Sequence, residues 1–425
     1  MIDPGTIVAL ATPAGMARRA IVRTSGPEAF SFAEQLGATP NVGEFPRRTL
    51  TLDNIPIPSR LLAFRSPRSH TGEDVVEYHL PGSGLIVRML LDALRALGGR
   101  DARPGEFTAR AYFNGKLRLD EAEAVQAAIA ATNDAELAAA ARLRDGALAT
   151  ALAPLLDRLT HLLALCEAGI DFVDEPDVVA IEPAAAREQI DHLLANLAEL
   201  QSGAARFADL SRPPTVALAG PPNAGKSTLL NALADTTRAV VSPTAGTTRD
   251  AIAADVQLPG GVVRMIDLPG LSETPASLLD AAAQERALVA AAGADVLLAV
   301  SASDAATAPL RLPRPPDCAV VTKSDLAPGD VSALTGDGLD TLRWRLSMLA
   351  FAHHGGDRLA LTARHLAAVA DARAALSVAA DIVDGPPELL AFELRAALDH
   401  LGSILGTVAP DDLLARIFSA FCVGK

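Results

Sequence analysis

The chain has 425 residues, half of them hydrophobic, 4% aromatic and 21% charged, with a formal net charge of −14. This length allows about three domains, and the acidic balance excludes a protein that coats nucleic acid non-specifically, which would be basic. The charge is uneven, because residues 1–118 hold 15 Lys and Arg against 11 Asp and Glu, a balance of +4 that suits a local anionic ligand.

Three cysteines, Cys166, Cys318 and Cys422, lie far apart with no CxxC or Cys/His cluster. That spacing predicts no structural zinc and a reducing compartment. The opening MIDPGTIVAL lacks a basic segment followed by a long apolar one, so no signal peptide is expected. No run of 18 uncharged apolar residues is present, so no transmembrane helix is expected, and the predicted location is cytoplasmic.

Residues 6–12, 20–24, 60–64 and 75–80 read as short strands, and residues 85–97 as a helix that Gly98 and Gly99 stop. Residues 1–118 are therefore an expected α+β module. From 119 to about 206 an alanine-rich helical pattern follows, broken near 174–181. Leu148, Leu152, Leu155, Leu159, Leu162 and Cys166 recur every three or four residues, the stripe of a bundle helix. After the linker SRPP at 211–214 the pattern alternates: strand 215–219, helix 226–234, strand 262–266, helix 280–292, strands 295–300 and 318–321. Such alternation predicts a mainly parallel sheet. Helical pattern returns over 354–425. The expected domains are 1–118, helical segments 119–213 and 350–425, and an α/β domain at 214–349 inserted between them.

Residues 220–227, GPPNAGKS, match GxxxxGK[ST] between a strand and a helix. Glycine turns aim backbone N–H groups at phosphates, Lys226 can reach the β- and γ-phosphates, and the Ser227 hydroxyl can ligate Mg²⁺. The expected nucleotide-binding run is Asn223, Ala224, Gly225, Lys226, Ser227 and Thr228. Asp267 and Gly270 form a DxxG, an Asp for water-mediated Mg²⁺ contact and a backbone that senses the γ-phosphate. Thr322, Lys323 and Asp325 fit [NT]KxD, in which the carboxylate accepts from the N1–H and N2–H₂ edge that adenine lacks. Ser332 and Ala333 follow where a backbone contact to the guanine oxygen is expected. Thr248, in AGTTRD at 245–250, stands where a threonine would complete the Mg²⁺ shell. Four motifs in this order, each after a strand, predict a GTPase. Two alternatives are a slow GTP-binding switch or assembly scaffold, and an ATPase, which Asp325 disfavours.

Further segments carry a resemblance. DPGTIVALATP at 3–13, TGEDVVE at 71–77, RPGEFT at 103–108, NGKL at 114–117 and DDLLARIFSAFCVGK at 411–425 resemble the MnmE (TrmE) family of tRNA modification GTPases, over essentially the whole chain. The resemblance implies a homodimer with an N-terminal α+β folate-binding and dimerisation domain, a helical bundle domain and an inserted Ras-like P-loop GTPase domain. It implies an FAD-containing MnmG partner in a heterotetramer. The pair would install a carboxymethylaminomethyl-type group on carbon 5 of the tRNA wobble uridine, with a 5-formyl- or methylene-tetrahydrofolate as one-carbon source. It implies K⁺ held by Asn223, Ser242, Thr244 and Thr247, Mg²⁺ held by Ser227 and Thr248, and folate contacts at Arg23, Glu77, Lys116 and Lys425. Asp280 aligns with the family's water-orienting glutamate, which with Lys226 and Thr248 makes the expected catalytic set.

The chain departs from the pattern at several points. DLPG replaces DTAG. Thr322 replaces an asparagine, which predicts weaker guanine affinity. Asp280 is a methylene short, and such misplacement costs about 10²-fold. The segments AGMARR at 14–19 and HLPGSG at 79–84 are poorer in glycine than the family's, which predicts an altered folate pocket. Cys422 reads either as an exposed nucleophile or as packing beside Phe418 and Phe421, and has no assigned role.

Overall fold

A computed structural model of the chain describes residues 3–171, 181–235, 252–271, 278–304, 311–351, 358–408, 410–419, 421–422 and 424. It divides into two compact units. The first comprises 1–126, 142–202 and 364–425, and the second 127–141 and 203–363. These limits differ from the boundaries drawn on pattern alone.

The first unit contains a six-stranded sheet in the spatial order Arg47–Leu52, Ile55–Phe64, Val75–Gly82, Ala17–Ser25, Ile7–Leu10, Arg100–Asp101. All neighbours are antiparallel except the last pair. Period-two alternation puts Leu50, Leu52, Leu61, Ala63, Val76, Tyr78 and Val22 on one face, where they pack with Phe30, Phe32, Leu90 and Leu94 from the helices Ala29–Gln35 and Gly84–Ala96. The opposite face keeps its polar residues. Strand Arg47–Leu52 was not expected. It joins its neighbour through Asp53 and Asn54, whose φ angles of 48° and 63° make a two-residue turn of the kind that matches strand twist.

In the same unit the long helix Ala147–Asp171 buries the predicted stripe, Leu148 through Cys166, and packs on Pro387–Leu405. By length and composition this helix could cross a bilayer, contrary to the sequence expectation. Its buried stripe and its central Asp157 and Arg158 fit a bundle helix instead.

The second unit holds a five-stranded sheet in the order Cys318–Thr322, Val296–Ala302, Thr215–Ala219, Gly261–Asp267, Ile252–Leu258. Four strands are parallel. The unexpected Ile252–Leu258, an alanine-rich strand with weak β signal, pairs antiparallel at the edge. Along Thr215–Ala219, Val216 and Leu218 pack toward Leu229, Leu233, Leu342 and Leu346 of the helices Lys226–Asp235 and Leu339–Phe351, while Ala217 and Ala219 pack toward Ala287 and Ala291 of Leu278–Gly293. Helices thus cover both faces, as a parallel sheet requires. A two-stranded parallel pairing of Ala205–Arg206 with Ala360–Leu361 ties the start of this unit to its end.

Candidate functional site

Strand Thr215–Ala219 ends in the loop that precedes helix Lys226–Asp235. Two residues there have positive φ, Asn223 at 64° and Gly225 at 81°. Gly220 admits no side chain, because a Cβ would stand 2.1 Å from the Val300 carbonyl oxygen. Lys226 is only 7% exposed, and its Nζ donates to the carbonyl oxygens of Gly220 and Pro221 at 3.1 and 3.0 Å. Burial pushes its pKa down, and the nearby Asp267 charge partly counters this.

Asp267 closes strand Gly261–Asp267 beside this loop. One of its carboxylate oxygens accepts from the Ser227 hydroxyl, and the other, Oδ1, is buried with no hydrogen-bond partner. A buried, unsatisfied carboxylate oxygen beside a hydroxyl is a hard-oxygen donor set that fits Mg²⁺. Gly270 lies against the phosphate loop. A Cβ there would meet the Pro222 nitrogen and Cγ at 2.8 Å, and the Leu271 N–H donates to the Gly220 carbonyl at 3.1 Å. Thr228 is exposed at the start of the helix.

The turn expected to read guanine is bonded to the phosphate loop. The Thr322 hydroxyl lies 2.6 Å from the Ala224 carbonyl oxygen and 3.1 Å from that of Ser301. Lys323, at φ 60°, pairs through Nζ with both oxygens of Asp304 at 2.9 Å. Asp325 Oδ1 accepts from the fully buried Ser332 hydroxyl at 2.6 Å, and Ser332 Oγ in turn accepts from the Leu334 and Thr335 N–H groups. Ser332 thereby orients the Asp325 carboxylate, while Ala333 follows it half-buried. Asn223 is exposed, and its side chain makes no hydrogen bond to another described residue. A free amide oxygen is a donor that suits K⁺. Ser242, Thr244, Thr247 and Thr248 lie outside the described residues. Asp280 falls in helix Leu278–Gly293 with its side chain outside the described set; one turn on, Gln284 donates to the Gly270 carbonyl at 3.5 Å.

A second constellation lies in the first unit. Strand register sets Arg23 opposite Glu77, and the guanidinium bonds the carboxylate at 2.8 and 2.9 Å. Arg23 also reaches the Gly424 carbonyl at 3.4 Å and lies 5.6 Å from the centre of the Phe107 ring. The hydrogen bond with His79, 3.1 Å away, and the Arg23 charge hold the Glu77 carboxyl below its usual range despite burial. Gly424 could not carry a side chain, since a Cβ would stand 2.4 Å from the Leu10 carbonyl oxygen. Gly105 is equally closed, at 2.5 Å from the Phe418 carbonyl oxygen. The opening strand, RPGEF and the carboxy-terminal motif therefore meet in one place. Lys116 is exposed beside Gly72, in a loop that Asn114 secures through the Thr71 carbonyl at 2.7 Å, and makes no ion pair with Glu77. Lys425 lies outside the described residues. Cys422 is exposed, while Phe418 and Phe421 are buried, so the packing alternative for the thiol is corrected.

Sequence reasoning missed Arg110. Its guanidinium, 1% exposed, bonds Glu73 at 2.8 Å, the carbonyls of Asp3 and Gly5 at 2.9 and 2.8 Å, and approaches the Ser25 carbonyl and Glu106 at 3.4 Å. One side chain thus joins DPGT, TGED and RPGEF. The available signal was an arginine inside an apolar helix, four residues after Glu106.

Two family models match the chain: the GTP-binding protein TrmE N-terminus over residues 6–116 and the MnmE helical domain over residues 119–422. The chain belongs to the MnmE family of tRNA modification GTPases. Among similar proteins, a tRNA modification GTPase MnmE of Alkalilimnicola ehrlichii is 39% identical over 451 aligned positions, covering 99% of each chain. Its counterpart from Thermus thermophilus is 38% identical, covering 100% of this chain and 99% of that one. Membership in the MnmE family makes the chain a P-loop GTP hydrolase in tRNA modification. The solved Era of Aquifex aeolicus bound to GDP and AlF₄⁻ is similar over 38% of this chain and 66% of that one, at 28% identity and a TM-score of 0.27.

Proposed function

We propose that the chain is a potassium-dependent GTPase that acts with an MnmG-type FAD protein. Together they add a carboxymethylaminomethyl-type group to carbon 5 of the tRNA wobble uridine, with one carbon from a tetrahydrofolate. The observation that carries this reading is the meeting of Arg23 and Glu77 with Gly424 of the FCVGK motif, in a chain that also holds the GTP motifs. The carboxylate of Glu77 can accept from a pterin amino group, and Lys116 and Lys425 complete the proposed folate contacts. The homodimer, the MnmG heterotetramer, the cytoplasmic location and the domain limits 1–118, 119–213, 214–349 and 350–425 belong to the same proposal.

In the GTPase step, Lys226 exchanges its bonds to the Gly220 and Pro221 carbonyls for the β- and γ-phosphates. Asp325, oriented by Ser332, selects guanine. Ser227 and Asp267, with Thr248, would hold Mg²⁺. Asn223, with Ser242, Thr244 and Thr247, would hold K⁺. When bound, these cations offset charge on the phosphates as the γ-phosphoryl group departs. Asp280 is the proposed water-positioning residue.

The test is GTP hydrolysis by the purified protein in KCl and NaCl at matched ionic strength. Marked stimulation by potassium supports the cation site at Asn223. Equal, slow rates in both salts would sink it and favour a nucleotide-gated scaffold.

A further inference from the structure

The outer face of the N-terminal sheet carries a cleft of about 660 Å³ lined by Arg18, Arg19, Arg47, Arg48, Arg60 and His79. No aspartate or glutamate lines it, and none of its five arginines makes an ion pair among the described residues. Strand register makes the crowding explicit. Arg47 stands directly opposite Arg60, and Arg60 directly opposite His79, across three neighbouring strands. Like charges directly opposite in a sheet are destabilising. At strand spacings of about 4.8 Å, Arg60 and Arg47 lie about 5 and 10 Å from His79 along this row.

Arg60 and His79 are held rather than loose. Arg60 donates to the Phe45 carbonyl at 3.0 Å and lies over the Phe45 ring at 5.2 Å, and that ring meets His79 edge-on at 4.7 Å. His79 in turn bonds Glu77 at 3.1 Å. Glu77 sits two residues along the same strand, hence on the same face. The cleft is therefore continuous, through His79, with the Arg23–Glu77 pair. Its volume is that of a small-molecule site, and its guanidinium forks match carboxylates two oxygens at a time.

We propose that this arginine cleft binds the γ-linked glutamate tail of the folate whose pteridine end the Arg23–Glu77 pair holds, and so selects folates bearing several glutamates. This rests on the folate reading above. A chain of carboxylates would neutralise the Arg47–Arg60 column, which no group among the described residues does. An RNA phosphate backbone offers related charge, but the cleft is contiguous with the pterin-side pair through His79 and Glu77, which favours the folate tail.

The experiment is calorimetric titration of the full-length protein with 5-formyl-tetrahydrofolate carrying one and three glutamates, at two salt concentrations. The triglutamate is expected to bind at least about tenfold tighter, with an advantage that shrinks as salt rises. In an R47Q/R60Q variant the ratio should fall toward one. Arg23→Gln should weaken both forms together. Equal affinity for the two forms in the unaltered protein would overturn the tail site and leave the folate reading intact. No binding of either form would overturn both. If R47Q/R60Q lost tRNA affinity while the glutamate ratio stayed unchanged, the cleft would be an RNA surface and the proposal would fail.

Discussion

The Thr322 hydroxyl lies 2.6 Å from the carbonyl oxygen of Ala224, so the turn that opens at Thr322 and the phosphate loop are tied by one short bond between residues 98 apart in sequence. Sequence reading predicts that threonine in place of asparagine costs guanine affinity. The geometry adds a second role for the residue: it anchors one half of the nucleotide site to the other. Thr322→Val keeps the shape and leaves a buried carbonyl unpaired, a loss of about 1–3 kcal/mol. The dissociation constant for GTP should rise about tenfold in a fluorescence titration. Unchanged GTP affinity in this variant would show that the bond has no part in binding.

Gly270 supplies a second test. A methyl group there meets the Pro222 nitrogen and Cγ at 2.8 Å, closer than real contacts allow, so Gly270→Ala must push the DxxG turn off the phosphate loop. GTP turnover is expected to fall about 10²-fold, while GDP affinity, which depends on the Lys226 and Asp325 ends of the site, changes little. Single-turnover hydrolysis and GDP titration separate these outcomes. Equal loss in both would mean that the loop itself has collapsed.

Arg110 is a buried cation with two carboxylates and three carbonyls around it. Removing it takes the ion-pair partner from Glu73 and leaves the Asp3 and Gly5 carbonyls without their donor, while Glu106 keeps Arg100. Arg110→Met should destabilise the N-terminal module by about 3–5 kcal/mol, the usual result of breaking a buried pair from one side. Denaturant unfolding checks this. A shift below about 1 kcal/mol would show that the carboxylates find other partners.

Glu123 gives a pH signature. Burial alone would raise its carboxyl pKa, but hydrogen bonds from Arg364 at 2.7 and 2.8 Å and with His365 at 2.7 Å outweigh it and bring it down to about 2. The folded-state pKa is therefore below the unfolded one, for which the reference value is 4.5. Its contribution is fully present above about pH 5 and is lost as pH falls through the unfolded value toward 2. Glu123→Gln should cost about 3 kcal/mol at neutral pH, and the gap from the unaltered protein should narrow by pH 3. A gap that stays constant from pH 7 to pH 3 would refute the shift.

The phosphate loop was legible because its chemistry is local: a glycine-shaped backbone turn, a lysine and a hydroxyl within eight residues, flanked by a strand and a helix. The stripe from Leu148 to Cys166 was legible for a similar reason, since helical period projects directly onto one buried face. Strand Arg47–Leu52 was not. Two arginines open it, and only its pairing with Ile55–Phe64 reveals the alternation. Ile252–Leu258 was missed because its alanines carry little strand preference, and pairing along Gly261–Asp267 decides its form.

Taken alone, the sequence determined the nucleotide motifs, their order, and the resemblance that family membership now bears out, because those features reside in contiguous residues. Tertiary structure alone decided which separated residues act together. Arg110 gathers partners up to 107 positions away, Arg23 reaches Gly424 across 401, and Arg47, Arg60 and His79 become one row only when three strands come into register. The physical reason is that charge and hydrogen-bond complementarity act over a few ångströms in space, and chain order carries no record of that distance until the sheets and helices have packed.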